Sequence, residues 1–249
     1  MSLIERLLSA THTDGRVTDV RVGTHWTIVV VETPNGLRAG LASTQIVHGR
    51  EHGEPVVRDA GKLVGKMGSE LAGWVRSASL TERSIGFAAL NALIQPELNR
   101  CVPLNAESLI LELGAGKHVA IVGHFPFVPK VREVAGICSV LELNPSPGDL
   151  PASAATEVLP KADIVAITGM SLVNGTFEEL IALCSPDAFV LLLGATTPLT
   201  PVLFGYGIDA ISGTVVEDID VAIAAVSQGA NFRQVGGKRL LTMLKAGGS

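Results

Sequence analysis

The sequence predicts a small α+β domain followed by an α/β domain built on a parallel sheet, and three observations predict it. A run rich in Val, Ile and Thr, Val20 to Glu32, is followed by Pro34-Asn35-Gly36 and by a second run, Leu37 to Ala42. Two helical stripes then fill the chain up to residue 97. Beyond it, apolar stretches of about five residues alternate with helical spacing, as in strands covered on both faces. The expected division is therefore residues 1–97 and 98–249.

The first two runs read as a β-hairpin, because β-branched residues suit a pleated surface and Asn-Gly favours a tight turn. Residues 43 to 61 carry Gly49, Gly53, Pro55 and Gly61 among charges and read as a surface loop. Leu63, Val64, Met67, Leu71, Trp74 and Val75 recur at helical spacing, which predicts a helix over 62–75. A second helix starts after Ser79, with Glu82 placed for a capping box. Its inner face, Ile85, Ala88, Ala89, Ala92 and Leu93, is mostly small, so a neighbour can approach closely. Pro96 ends it.

In the second part, strands are expected at His118 to Val122, Ser139 to Leu143, Asp163 to Thr168, Phe189 to Leu193 and, more weakly, Asp209 to Ile211. Helices are expected near 128–136, 152–158, 176–184, 199–205 and 217–227. Strand-helix alternation with right-handed crossovers is a Rossmann-like arrangement.

Composition narrows the function. The chain is 47% hydrophobic and 17% charged, too apolar for disorder, and its net charge of −5 gives no basic surface for nucleic acid. With 4% aromatic residues there is little on which bases could stack. Its apolar runs fall far short of the ~20 residues of a membrane helix, and the start lacks a signal-peptide pattern, so a cytoplasmic protein is expected. Cys101, Cys138 and Cys184 are scattered and odd in number, which argues against disulfides and a cysteine-only zinc site.

Parallel sheets bind ligands beyond the carboxyl ends of their strands, so the loops there hold the candidates. They read Gly123-His124-Phe125-Pro126, Asn144 to Asp149 with Gly148, Thr168-Gly169-Met170-Ser171 through Asn174 to Thr176, and Gly194-Ala195-Thr196-Thr197-Pro198. The first loop has no second glycine for a pyrophosphate and no P-loop occurs, so NAD, FAD and P-loop nucleotides are disfavoured. His124 is placed as a metal ligand or proton carrier, or as a loop residue that caps a carbonyl. Glu142 suits a ribose contact or is an ordinary strand-end carboxylate. Thr176 can cap the helix that begins at Phe177. His48 and His52 have the i, i+4 spacing of a helical metal pair, but the neighbouring glycines favour a loop.

The run Ser84-Ile85-Gly86-Phe87-Ala88-Ala89-Leu90-Asn91-Ala92, with Val122-Gly123-His124-Phe125-Pro126, Gly148-Asp149-Leu150-Pro151, Glu157-Val158-Leu159-Pro160 and Gly194-Ala195-Thr196-Thr197-Pro198, resembles the family labelled "putative heavy-metal chelation domain". The resemblance spans about residues 15 to 240. It implies an enolase-N-terminal-like domain ahead of the Rossmann-like one, and a site in a cleft formed by the four loops, with Asn91 reaching it. A closed heavy-metal site takes about four soft or borderline ligands. His124, Glu142 and Asp149 are the expected ligands here, with Cys138 a further candidate.

The expected function is thus binding of a small polar or anionic ligand, with or without a divalent metal, by a protein with no nucleic-acid or membrane partner and with room for a homodimer. The alternative is a lyase or transferase in which His124 or Asp149 moves a proton on a bound anion.

Overall fold

The computed structural model describes residues 1–46 and 55–245. The His48 and His52 pair lies outside the described residues.

The chain opens with helix α1 (Leu3–Ser9), whose N-cap Ser2 side chain accepts a hydrogen bond from Glu5 N. Strands β1 (Arg16–Val22), β2 (Trp26–Thr33) and β3 (Gly36–Ser43) form an antiparallel meander. The run Val20 to Glu32, expected as one strand, contains a turn at Gly23, whose N–H donates to Trp26 O. The β-branched residues on both sides hid that turn. The Pro34-Asn35-Gly36 turn forms where expected, with Gly36 at φ +102°.

The helix expected over 62–75 is shorter. Only α2 (Gly68–Ala72) and a 3₁₀ turn, Gly73–Arg76, form. Val17 N donates to Lys66 O, and Gly65 N donates to Val17 O. Residues 65–67 are thus tied along β1, and Val64 and Met67 point outward instead of into the core. Helix α3 (Leu80–Leu93) follows its expected course. Ser79 caps it, but Glu82 turns to Ser77 Oγ and Arg58 N rather than back to the cap. Its small inner face is fully buried. A Cβ on Gly40 of β3 would lie 2.2 Å from Ala88 O and 2.4 Å from Ala92 N, so backbone meets backbone there.

Next come β4 (Cys101–Val102), α4 (Ala106–Leu113), β5 (His118–Val122), α5 (Val128–Val134), β6 (Ile137–Glu142), β7 (Leu150–Pro151) and α6 (Ala155–Val158). They are followed by β8 (Ile164–Thr168), α7 (Met170–Asn174), α8 (Phe177–Leu183), β9 (Phe189–Leu193), β10 (Ala210–Val216), α9 (Ile219–Ser227) and β11 (Lys238–Leu244). The helix expected over 199–205 is a 3₁₀ segment, Pro201–Tyr206. Strands β4, β7 and β11 and helices α4 and α7 were not expected. The first two strands are only two residues long, and β11 carries charges at its start.

The eight-stranded sheet has the order β4-β11-β10-β9-β8-β5-β6-β7. Its neighbours from β10 to β7 run parallel, whereas β4 and β11 pair antiparallel. The fold is α/β as expected. Val119, Ile121, Val140, Ile164, Ala166 and Leu191 from the central strands form its core with Val128 and Val131 of α5. Each such Val, Ile or Leu side chain contributes roughly 1.5–3 kcal/mol on burial.

By contact density the chain divides into two compact units. One comprises Met1–Glu97, Ala195–Val202 and Gly213–Leu240; the other comprises Leu98–Gly194, Leu203–Ser212 and Leu241–Ser249. The first has its own apolar cluster, in which Ile28 and Leu41 pack with Ala195, Ala222, Val226 and Val235. Among the described residues no helix is long and apolar enough to cross a membrane.

Candidate functional site

From β5 the chain order steps to β6 on one side and to β8 on the other, so the strand order reverses between β5 and β8. Crevices beyond the carboxyl ends of strands at such a switch point are where open α/β sheets take ligands. Gly123 sits there at φ +105°, its N–H donating to Leu141 O. A Cβ at Gly123 would meet Thr168 Cβ at 3.1 Å and the Phe125 ring at 3.3 Å. Only glycine lets the loops after β5 and β8 meet this closely while holding a left-handed conformation.

The next residue is the centre of a hydrogen-bonded cluster. His124 N donates to Glu142 Oε1 at 2.6 Å, and Leu143 N donates to Glu142 Oε2 at 3.0 Å. His124 Nδ1 lies 2.8 Å from Asp149 Oδ2. Because a carboxylate only accepts, Nδ1 carries the proton and Nε2 is the nitrogen left for a ligand. Asp149 is held in turn by Ser146 N at 3.2 Å and by Arg132 Nη2, which donates to Asp149 Oδ1 at 3.0 Å and to Gly148 O at 2.9 Å. Its side chain is fully covered by these partners, whereas the His124 side chain is 44% exposed.

Burial raises the proton affinity of Asp149. The hydrogen bond and charge of His124, the Ser146 N–H and Arg132 outweigh it, and the carboxyl is held below the usual range. Asp149 therefore stays a carboxylate at neutral pH and orients the imidazole. Of the two residues expected to move a proton, this favours His124.

Among the described residues, the donors around His124 do not make up the four-ligand set of a closed heavy-metal site. Among the described residues no three His, Cys, Asp or Glu side chains come together as a ligand group. Both oxygens of Glu142 and both of Asp149 already accept hydrogen bonds from the protein. None of the cysteines forms a disulfide, and all three are half-buried. Burial raises the Cys138 thiol, an effect Arg132 opposes, and pushes Cys184 up to about 11. We expect Cys184 to resist iodoacetamide at pH 8 in the folded protein and to react on unfolding; mass spectrometry of the alkylated chain checks this, and rapid labelling of native Cys184 would contradict it.

The other expected site residues divide. Gly123, His124, Phe125, Glu142, Gly148, Asp149 and Thr168 gather around the cluster, with Pro126 exposed on the same loop. Gly169 N donates to Leu193 O, and Gly194, at φ +114°, donates to Ser212 O. Asn174 and Thr176 satisfy each other: Oδ1 of Asn174 accepts from Thr176 N at 3.1 Å and from Thr176 Oγ1 at 2.8 Å. The Thr176 side chain thus does not cap α8. Asn91, Thr196, Thr197 and Pro198 belong to the first unit. There Thr196 Oγ1 accepts from Ser43 N at 2.9 Å and donates to Ser43 Oγ at 3.1 Å. Sequence reasoning missed Arg132. Its signal was a cation in the helix that directly follows the histidine loop.

Two family models, both described as "Putative heavy-metal chelation", match residues 105–245 and 4–94. An uncharacterized protein of Methanocaldococcus jannaschii is 30% identical over 225 residues, covering 87% of this chain and 85% of that one. A solved protein of unknown function from Desulfitobacterium hafniense superposes with a TM-score of 0.82 at 28% identity, over 98% of each chain. A second, from Pyrococcus horikoshii, also reaches 0.82 over 98% of each chain, and at 20% identity it speaks to the fold alone.

Proposed function

Because the chain belongs to the DUF364 family, whose description is "Putative heavy-metal chelation", we propose that it binds a small polar or anionic ligand beyond the carboxyl ends of β5, β6 and β8, with His124 as the contacting side chain. The observation that carries this reading is the His124-Asp149-Arg132 relay, with distances of 2.8 and 3.0 Å. Asp149 holds Nδ1 of a ring that is 44% exposed, which leaves Nε2 as the nitrogen for a ligand, and Arg132 holds Asp149. A neutral Nε2 accepts a proton or offers one borderline metal ligand, and a protonated ring binds an anion.

A divalent metal enters this reading as cargo. His124 supplies one donor, and the remaining donors come from the molecule that carries the metal. The chain's own residues orient the ring and neutralise charge.

Titration calorimetry with zinc, with inorganic phosphate and with nucleoside monophosphates tests the reading. At least one of these probes is expected to bind, and His124→Ala is expected to weaken that binding at least tenfold, as for loss of one hydrogen bond to a charged group. Absence of binding by all of them, or unchanged affinity in His124→Ala, would refute it.

The same relay favours a second reading, an enzyme of the lyase or transferase class in which His124 moves the proton and Asp149 positions it. In that case His124→Ala abolishes turnover while much of the affinity for the anion persists.

A further inference from the structure

His118 opens β5 at the end of the strand opposite the His124 loop, and its side chain meets a serine there. The register of β5 and β6 pairs His118 with Ile137 and Ala120 with Ser139, so His118 and Ser139 stand on one face of the sheet. The imidazole Nε2 lies 3.1 Å from Ser139 Oγ, and Nδ1 lies 3.2 Å from Lys161 O. A carbonyl oxygen only accepts, so Nδ1 carries the proton and Nε2 keeps its lone pair. The Ser139 hydroxyl is therefore the donor to Nε2. A nucleophile, a base that accepts its proton and a third group that orients the base are the parts of an activated serine.

The backbone holds the histidine in place. His118 N donates to Asp163 Oδ2, and Asp163 N donates to His118 O, both at 2.9 Å. The pair is open to solvent on one side. His118 and Ser139 are part-exposed, and Ile137, on the same face, is 59% exposed. Strand β7 pairs with β6 only at Leu141 and Glu142, so among the described residues the start of β6 is a free edge. Ile137 N donates to Lys117 O on the β5 side, and alternation along a parallel strand turns the N–H groups of Cys138 and Val140 to that free edge. Val140 follows the serine directly, and its N–H is a donor for an oxygen that turns negative. Lys117 and Lys161, exposed and without a carboxylate partner among the described residues, add positive charge beside the pair.

We infer that Ser139 is a nucleophile for acyl transfer with His118 as its general base, and that its substrates are small esters with short acyl groups. The acyl group is short because Ile137 is the exposed apolar side chain that this face of β6 offers it. As Oγ bonds to the carbonyl carbon, its proton passes to Nε2. The bond from that carbon to the alcohol oxygen then breaks, and Nε2 returns the proton to the departing oxygen. Water repeats the sequence on the acyl-serine, which frees the carboxylic acid and restores Ser139. This site shares no residue with the His124 relay, and neither reading depends on the other.

The experiment uses the full chain with p-nitrophenyl acetate as the ester and with a fluorophosphonate, which Oγ attacks at phosphorus with loss of fluoride. The ester is expected to turn over, and peptide mass spectrometry is expected to place the fluorophosphonate label on Ser139. Ser139→Ala should lose both the label and the turnover. His118→Ala should slow both about a hundredfold, the low end of general-base catalysis. Ser139→Cys, which keeps the shape and the histidine partner, should be alkylated by iodoacetamide several times faster than Cys138 beside it. Circular dichroism melts establish that each variant is folded, and labelling of the parent chain needs no substitution. The inference is overturned if the parent chain takes no label on Ser139, if ester turnover survives Ser139→Ala, or if folded His118→Ala reacts at the parent rate.

Discussion

Gly40→Ala is expected to destabilise the first unit by about 3 kcal/mol or more, at the upper end of what overpacking costs. The added methyl group would lie 2.2 Å from Ala88 O and 2.4 Å from Ala92 N, well inside van der Waals contact. Both atoms are helix backbone, so no rotamer change relieves the clash, and α3 as a whole must move off β3. That movement opens gaps beneath Ile85, Ala89 and Leu93, which are fully buried or nearly so. Urea unfolding followed by circular dichroism should show a lower midpoint, and an unchanged midpoint would mean that the contact is softer than it looks. Gly36→Ala is the comparison: nothing lies near its Cβ, so its cost is the strain of φ +102° alone.

Asp149→Asn is expected to weaken binding of whichever of zinc, phosphate or nucleotide the parent protein takes by roughly tenfold, on the scale of one charge-assisted hydrogen bond. The neutral amide can offer its N–H to the ring and stabilise the wrong tautomer, and Arg132 loses its counter-ion. A second signature separates this from simple unfolding. The folded-state proton affinity of Asp149 lies below its unfolded value, so its contribution to stability is fully present above the unfolded pKa. It is lost as pH falls through the depressed folded value. Asp149→Asn should therefore be less stable than the parent at neutral pH, with the gap closing as the solution is taken toward pH 2. Thermal melts from pH 7 to pH 2 measure this, and a gap that widens in acid would contradict the assignment.

The parallel core was legible because strands buried on both faces leave short unbroken apolar runs, such as Val119 to Val122 and Ile164 to Ile167, that no surface element would carry. The histidine loop was legible for a topological reason: it follows a strand of such a sheet. What escaped notice was set by partners distant in sequence. Strand β4, with two residues, has too little pattern to read, and it forms only because β11 pairs with it. Residues 62–67 have helical spacing, yet hydrogen bonds to Val17 hold part of that stretch along β1. Arg132 shows in the sequence only as a cation in the helix after the histidine loop, and its tie to Asp149, seventeen residues on, depends on the fold.

Within the first unit, Ile28 and Leu41 from the early chain pack against Ala195, Ala222, Val226 and Val235 from segments that follow β9 in the chain. Severing the polypeptide at residue 97 would thus not release a self-sufficient N-terminal module. The fragment 1–97 alone would present an unfilled apolar face to water and would tend to precipitate, whereas supplying residues 98–249 in trans should restore solubility by complementation.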